Sequence, residues 1–304
     1  MVRLPLPATG RRRQAPAETG RLLAWRRSGA GGYGPAVARA LSAAVGGLDH
    51  ILGGSDEAAA LCRDLLRFDP PQRRVVVANC RRYLSLPVCE QVLDEALRRA
   101  SDDPAAAREM AELTLELTGR LEPPAGASGL LADLQARAWA CLANAHRAAG
   151  EPRRAALAFR LAEARLADGT GDPLAEAEIL RLKTLLAESR GARATAEALL
   201  EREIAIHEAT GHPDLLGRAL LHRACLCARR GELEEAVRHG RRAVAALDRG
   251  PDRPLTALAS QQLARCLALL GRPLEAQRWH AAARRLGADL DADFDQRLYR
   301  ALVS

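Results

Sequence analysis

The chain has 304 residues, 48% of them hydrophobic but only 3% aromatic, and a formal net charge of +7. The apolar mass is Ala, Leu and Val, enough for a substantial core and favourable to helix. No apolar run approaches the roughly 18 residues of a membrane span, and Leu4–Ala8, broken by two prolines and followed by Arg11-Arg12-Arg13, makes a poor secretory leader, so a cytoplasmic protein is expected.

Residues 1–34 are rich in Arg, Pro and Gly without an apolar period, and are expected to form a disordered tail. The charge is concentrated at this end: residues 1–27 hold seven Arg and one Glu, whereas residues 101–304 hold 29 basic and 29 acidic side chains. Such a tail attracts phosphate, acidic lipid or acidic protein without choosing among them. Gly29-Ala30-Gly31-Gly32-Tyr33-Gly34 matches G-x-G-x-x-G literally, but it follows no predicted strand, and the dinucleotide-binding reading needs one. Lys183 is the only lysine, a bias towards Arg that lowers the meaning of any single arginine.

Residues 35–121 are predicted to form an N-terminal helical module, either degenerate repeats or a cap. Its helices are expected near 36–51, 56–67, 71–83, 87–100 and 104–118. Pro70-Pro71, Pro87 and Ser101-Asp102-Asp103-Pro104 punctuate them, with proline near helix starts. Arg73-Arg74 and Arg81-Arg82 flank Val75–Val77 on one of these helices, where they could touch phosphates or simply be solvated. No segment sustains period-2 alternation, so no strand is predicted. Glu122–Gly129 reads as a linker.

From 129 to 290 the chain repeats. Gly150, Gly191, Gly231 and Gly271 fall in short turns between helical patterns, and each is followed five residues later by alanine: Ala155, Ala196, Ala236 and Ala276. A second series of breakers, Gly171-Asp172-Pro173, Gly211-His212-Pro213 and Gly250-Pro251-Asp252, falls between them. Each of the four units is then a helical hairpin. The Gly takes a left-handed turn, the Ala permits close helix crossing, and neighbours stack because one hairpin cannot cover its own apolar face. Residues 291–304 are expected to form a capping helix, with Phe294, Leu298 and Leu302 covering the final hairpin.

Trp139-x2-Leu142-Ala143-x2-His146, then Gly150, Ala155-x3-Phe159 and Ala162, resembles the tetratricopeptide repeat pattern, in a bacterial-type form with long repeats of about 40 residues. His146 replaces an aromatic, and Ala143 a glycine. Leu200 takes the Phe place in the second unit; the third keeps Ala224, Ala236 and Ala243, and the fourth keeps Leu263-Ala264, Ala276 and Ala283. The resemblance implies an all-α fold, an α-solenoid of stacked antiparallel hairpins. The period exceeds the usual 34 residues, through longer helices or longer connections; HEAT-like repeats share it and are the alternative.

The resemblance also implies a concave groove lined by the first helix of each repeat. Carried onto this sequence, the groove positions are Arg137, Asn144 and Arg147; Glu178, Arg181 and Glu188; Arg218, His222 and Arg229; and Gln261, Gln262 and Arg265. Arginine outnumbers glutamate among them, which favours an acidic peptide or a terminal carboxylate. The Lys/Asn/Arg carboxylate clamp of some family members is not reproduced, since Ala140 stands where a lysine would be.

The chemistry otherwise reads as structural. The seven cysteines include no CxxC and mostly lie in apolar stripes, as reduced buried thiols do. His222 and Cys225 share a helix face, but Cys227 does not, and only His239 could approach as a further ligand, so no metal is expected. No catalytic residue or cofactor site is indicated. The expected function is a non-catalytic scaffold or adaptor holding a protein or peptide partner, an acidic one, in the groove. The alternative is a regulatory protein that contacts nucleic acid through its basic tail, with the repeats as sensor. The oligomeric state is left open.

Overall fold

The computed structural model describes residues 55–122, 127–248, 250–287 and 294–303, and among these there are thirteen α-helices and no strand. The predicted tail, the glycine-rich motif and the helix at 36–51 lie outside the described residues. The first four helices are α1 (Ser55–Leu65), α2 (Pro70–Asn79), α3 (Leu86–Arg99) and α4 (Pro104–Gly119). Proline in the first turn, where its missing N–H costs nothing, opens α2, α3 and α4. Ser85 and Asp103 cap α3 and α4 by accepting from the backbone N–H of Val88 and Ala106. The single helix expected at 71–83 instead breaks at Cys80, whose backbone is extended (φ −124°, ψ 104°), and resumes as a 3-10 turn over Arg81–Tyr83. The break carries the Tyr83 ring into the core, fully buried, with its hydroxyl donating to Asp64 at 2.8 Å.

The repeats follow as four hairpins: α5 (Ser128–Ala148) with α6 (Pro152–Ala167), α7 (Pro173–Ser189) with α8 (Arg193–Thr210), α9 (Pro213–Arg229) with α10 (Leu233–Leu247), and α11 (Arg253–Leu269) with α12 (Pro273–Arg285). All four closing turns are built alike. Gly150, Gly191, Gly231 and Gly271 have φ between 68° and 77°. The N–H one residue on reaches back to the helix, from Glu151 to His146, Ala192 to Ala187, Glu232 to Cys227 and Arg272 to Leu267, at 2.8–3.0 Å. This satisfies carbonyls that a helix end otherwise leaves unpaired. The predicted alanines Ala155, Ala196, Ala236 and Ala276 are all buried where the two helices cross. The long period comes from the helices, which run 13 to 21 residues, and not from the three-residue turns.

The apolar interior falls into two bodies. The first runs from Ala58 and Leu65 through Val92, Leu117, Leu134 and Phe159 to Leu182 and Leu186 of α7, with Trp139 against it. The second begins at Leu200 of α8 and continues through Leu220, Leu247, Leu263 and Leu267 to Phe294. Between them lies a seam of buried polar side chains: Arg181 and Thr184 on α7, Glu203 and His207 on α8, His212 at the start of α9 and His222 within it.

A last helix, α13 (Phe294–Val303), packs on α9 and α11. Phe294 and Leu302 are buried, and Leu298 and Ala301 are partly buried against the second body. The helix does more than cover the final hairpin: it meets the first helices of the third and fourth hairpins and extends past them to α7.

Candidate functional site

The first helices of the hairpins lie side by side, so residues one repeat apart form columns across their common face. Arg137, Glu178 and Arg218 occupy one such column, spaced by 41 and 40 residues. Arg137 Nε donates to Glu178 at 2.8 Å, and its Nη2 lies 3.7 Å from Asp94 on α3. Burial raises the Asp94 carboxyl above its ordinary value, with the Arg137 charge opposing and that of Glu178 reinforcing. The fourth place in the column is Leu258, buried and neutral. The alternation therefore ends after Arg218, which has no carboxylate on its Leu258 side of the column. Its Nε is buried without a hydrogen-bond partner, and no carboxylate among the described residues lies within ion-pair distance. Burial, and next the charge of Arg181, push the Arg218 guanidinium down to about 10, against the opposing charges of Asp252, Glu203 and Glu178.

The other predicted positions divide by exposure. Arg137, Asn144, Arg181, His222 and Gln262 are buried, Arg147 and Arg218 are partly buried, and Arg229 and Arg265 are exposed. Asn144 accepts from Arg147 Nε at 2.8 Å, while its own Nδ2 has no partner among the described residues. Gln262 bonds Cys266 Sγ at 3.6 Å inside the stack, whereas its neighbour Gln261 faces α13. At the seam, the His222 ring bonds Glu188, and Arg229 pairs with the same carboxylate at 2.9 Å. Burial opposes the Glu188 charge, but the His222 hydrogen bond and Arg229 outweigh it and hold the carboxyl below its ordinary value. His222 is thus tied to a carboxylate. Among the described residues no three His, Cys, Asp or Glu side chains gather as a metal site. Burial pushes the Cys141 and Cys225 thiols up to about 12, far from thiolate chemistry.

At two of the predicted groove positions, Arg181 and Arg265, α13 already lies on this face. Arg181 donates from Nη1 to the Leu302 carbonyl at 2.7 Å. Arg265 holds Asp295 at 3.2 Å and stacks over the Phe294 ring at 4.6 Å. Arg297 of α13 reaches Gln261 at 3.4 Å, and Arg300 pairs with Asp102, between α3 and α4, at 2.7 Å. The sequence offered one overlooked signal: the opposite charges of Arg137 and Glu178 sit one period apart. The contact of Arg181 with a residue 121 positions away had none.

Three of the four arginines in the basic pairs of the N-terminal module are also paired. Arg73 pairs with Glu109 at 2.6 Å, Arg74 with Glu112 at 2.9 Å, and Arg82 with Asp64. No helix among the described residues is long and apolar enough to cross a membrane.

No protein-family model and no curated protein matches the sequence. Solved structures do resemble the fold. The chain superposes on BtubC (BKLC) from P. vanneervenii with a TM-score of 0.55 at 16% identity, covering 79% of this chain and 94% of that one. Aspartyl phosphate phosphatase F from Bacillus subtilis gives 0.57 at 13% identity, over 92% and 77% of the two chains. A signal transduction ATPase with a tetratricopeptide repeat sensor, from Pyrococcus horikoshii, gives 0.51 at 16% identity, over 83% and 39%. At such identities the likeness concerns the fold alone. That fold is an all-α, tetratricopeptide-like repeat solenoid.

Proposed function

We propose that this chain is a non-catalytic protein-interaction module that receives an acidic segment of a protein partner on the face formed by the first helices of its repeats. The observation that carries this reading is Arg218: a partly buried guanidinium close enough to Arg181 to feel its charge, third in a column whose first two members pair with each other, and without a carboxylate at ion-pair distance among the described residues, although Asp252, Glu203 and Glu178 act on it from farther off. A partly buried cation whose counter-charges do not contact it is costly, and a partner's carboxylate in direct contact relieves that cost through a charge-assisted hydrogen bond. Partner capture by the wild type should be lost with Arg218→Glu and weakened with Arg218→Gln, without loss of thermal stability in Arg218→Gln, when proteins retained from the native host are quantified by mass spectrometry. An identical set of proteins on the wild type and on Arg218→Glu contradicts the reading.

The regulatory alternative, contact with nucleic acid, is favoured by the seven Arg among residues 1–27. Retention on heparin or DNA that falls steeply with salt, and that disappears on removal of residues 1–34, would move the assignment to it.

A further inference from the structure

We infer that the face of the first helices is a receptor for a short amphipathic helix from a protein partner, and that α13 occupies this receptor within the chain until the partner helix displaces it. The inference rests on the interaction reading above and specifies the partner's chemistry.

The occupant shows what the receptor selects. Along α13, Phe294, Leu298, Ala301 and Leu302 fall at i, i+4, i+7 and i+8, one stripe of a helix, and this stripe meets α9 and α11. The two ends are read by charge. At the N-terminal end, Arg265 covers the Phe294 ring and binds Asp295. At the C-terminal end, Arg181 donates to the Leu302 carbonyl, one of those a helix leaves unpaired at its last turn and where its dipole is negative. An arginine at each end and an apolar floor between them fix both the direction and the length of a bound helix. The partner segment that fits has an aromatic residue followed by a carboxylate, leucines four and eight residues on, and a helix end that delivers carbonyls to Arg181. A carboxylate at that end would also meet the charge of Arg218, which lies close enough to Arg181 to feel it and has no ion-pair partner among the described residues.

The same geometry makes α13 displaceable. Ten residues are too few for a helix to persist alone in water, so α13 forms only while the face holds it. Its polar ties to the rest of the chain are few: those through Arg265 and Arg300 join exposed side chains, and the one buried tie, from Arg181, holds only a backbone carbonyl of the last turn. A tethered helix acts at a local concentration on the order of millimolar, which lowers the apparent affinity for an outside helix by the fraction of receptors left open.

The test uses the full chain and a fluorescent peptide of residues 288–304 as the probe, followed by anisotropy. The wild type should bind it weakly. The double variant Leu298→Ser/Leu302→Ser, which unseats α13, should bind it about tenfold more tightly or better. Adding Arg181→Ala and Arg265→Ala to that variant should abolish the gain. Circular dichroism establishes that the variants are folded; should the double variant not fold, the milder Phe294→Ser variant decides, with a smaller gain expected. Equal affinity of wild type and unseated variant, or no saturable binding to either, overturns the inference and makes α13 a permanent part of the fold. Those results would leave the interaction reading standing if Arg218→Glu still loses its captured proteins. Capture of the peptide with no Arg218-dependent partner would do the reverse.

Discussion

Between α5 and α7, the first helices of neighbouring hairpins share one apolar core that includes Leu134, Leu142, Ile179 and Leu186. Between α7 and α9, the corresponding helices meet through Glu188, His222 and Arg229, and the core stops and starts again. The two junctions have the same topology and period but opposite chemistry. Apolar burial is non-directional and strong, so it welds the first pair of hairpins into one body. A polar junction depends on a few oriented hydrogen bonds, each of small net value, and is the cheaper place to open. The difference teaches that a uniform repeat period does not mean a uniform solenoid. The face presented to a partner crosses its weakest joint, and α13 lies over that joint.

The largest effects should come from cavities within the bodies. Leu134→Ala in the first and Leu220→Ala in the second, both almost fully buried, should each cost about 3 kcal/mol in denaturant unfolding. If the bodies are separate units, the two variants should shift different phases of the transition, and identical curves would break the comparison.

Next comes the seam itself. Glu188→Gln removes the carboxylate that His222 and Arg229 share and should cost about 2 kcal/mol. Because the folded protein holds this carboxyl below its ordinary value of 4.5, its contribution is full above that value and is lost as pH falls through the lower folded-state value. The acid limb of a stability–pH curve should therefore flatten in the variant.

A smaller effect tests how tightly the second body is packed. Gly→Ala inside a helix ordinarily stabilises by about 1 kcal/mol. At Gly217 of α9 the added Cβ would lie 2.4 Å from Cγ of the fully buried Leu247, so the sign should reverse, to a loss of about 1–2 kcal/mol. A raised melting temperature would show that α10 yields easily. The smallest shift, and a favourable one, is expected for Arg218→Met. Removing a partly buried cation that no carboxylate contacts among the described residues should raise stability by about 1 kcal/mol while costing partner binding.

Much of this architecture is legible in the sequence because it is local. Glycine with an alanine five residues on specifies each turn and each helix crossing, and proline marks the helix starts, so most predicted boundaries in 55–119 fall within two residues of the observed ones. The interruption at Cys80 is not local in origin: it follows from burying Tyr83 against Asp64, 19 residues away. The candidate face was legible as a set of positions, but its exposure was not. Arg137 is sequestered by Asp94 and Glu178, and Arg181 by α13, through pairings that only the stacked geometry creates. The division into two bodies was likewise hidden, since Leu182 and Leu200 look equivalent in a helical pattern and only packing assigns them to different cores.

Native-state hydrogen exchange on the unmodified chain tests the two-body account most directly. The account predicts two sets of protected amides, one in α3–α7 and one in α9–α12, with distinct opening free energies, and α13 opening below both. A single opening free energy shared by α3–α7, α9–α12 and α13 would contradict it.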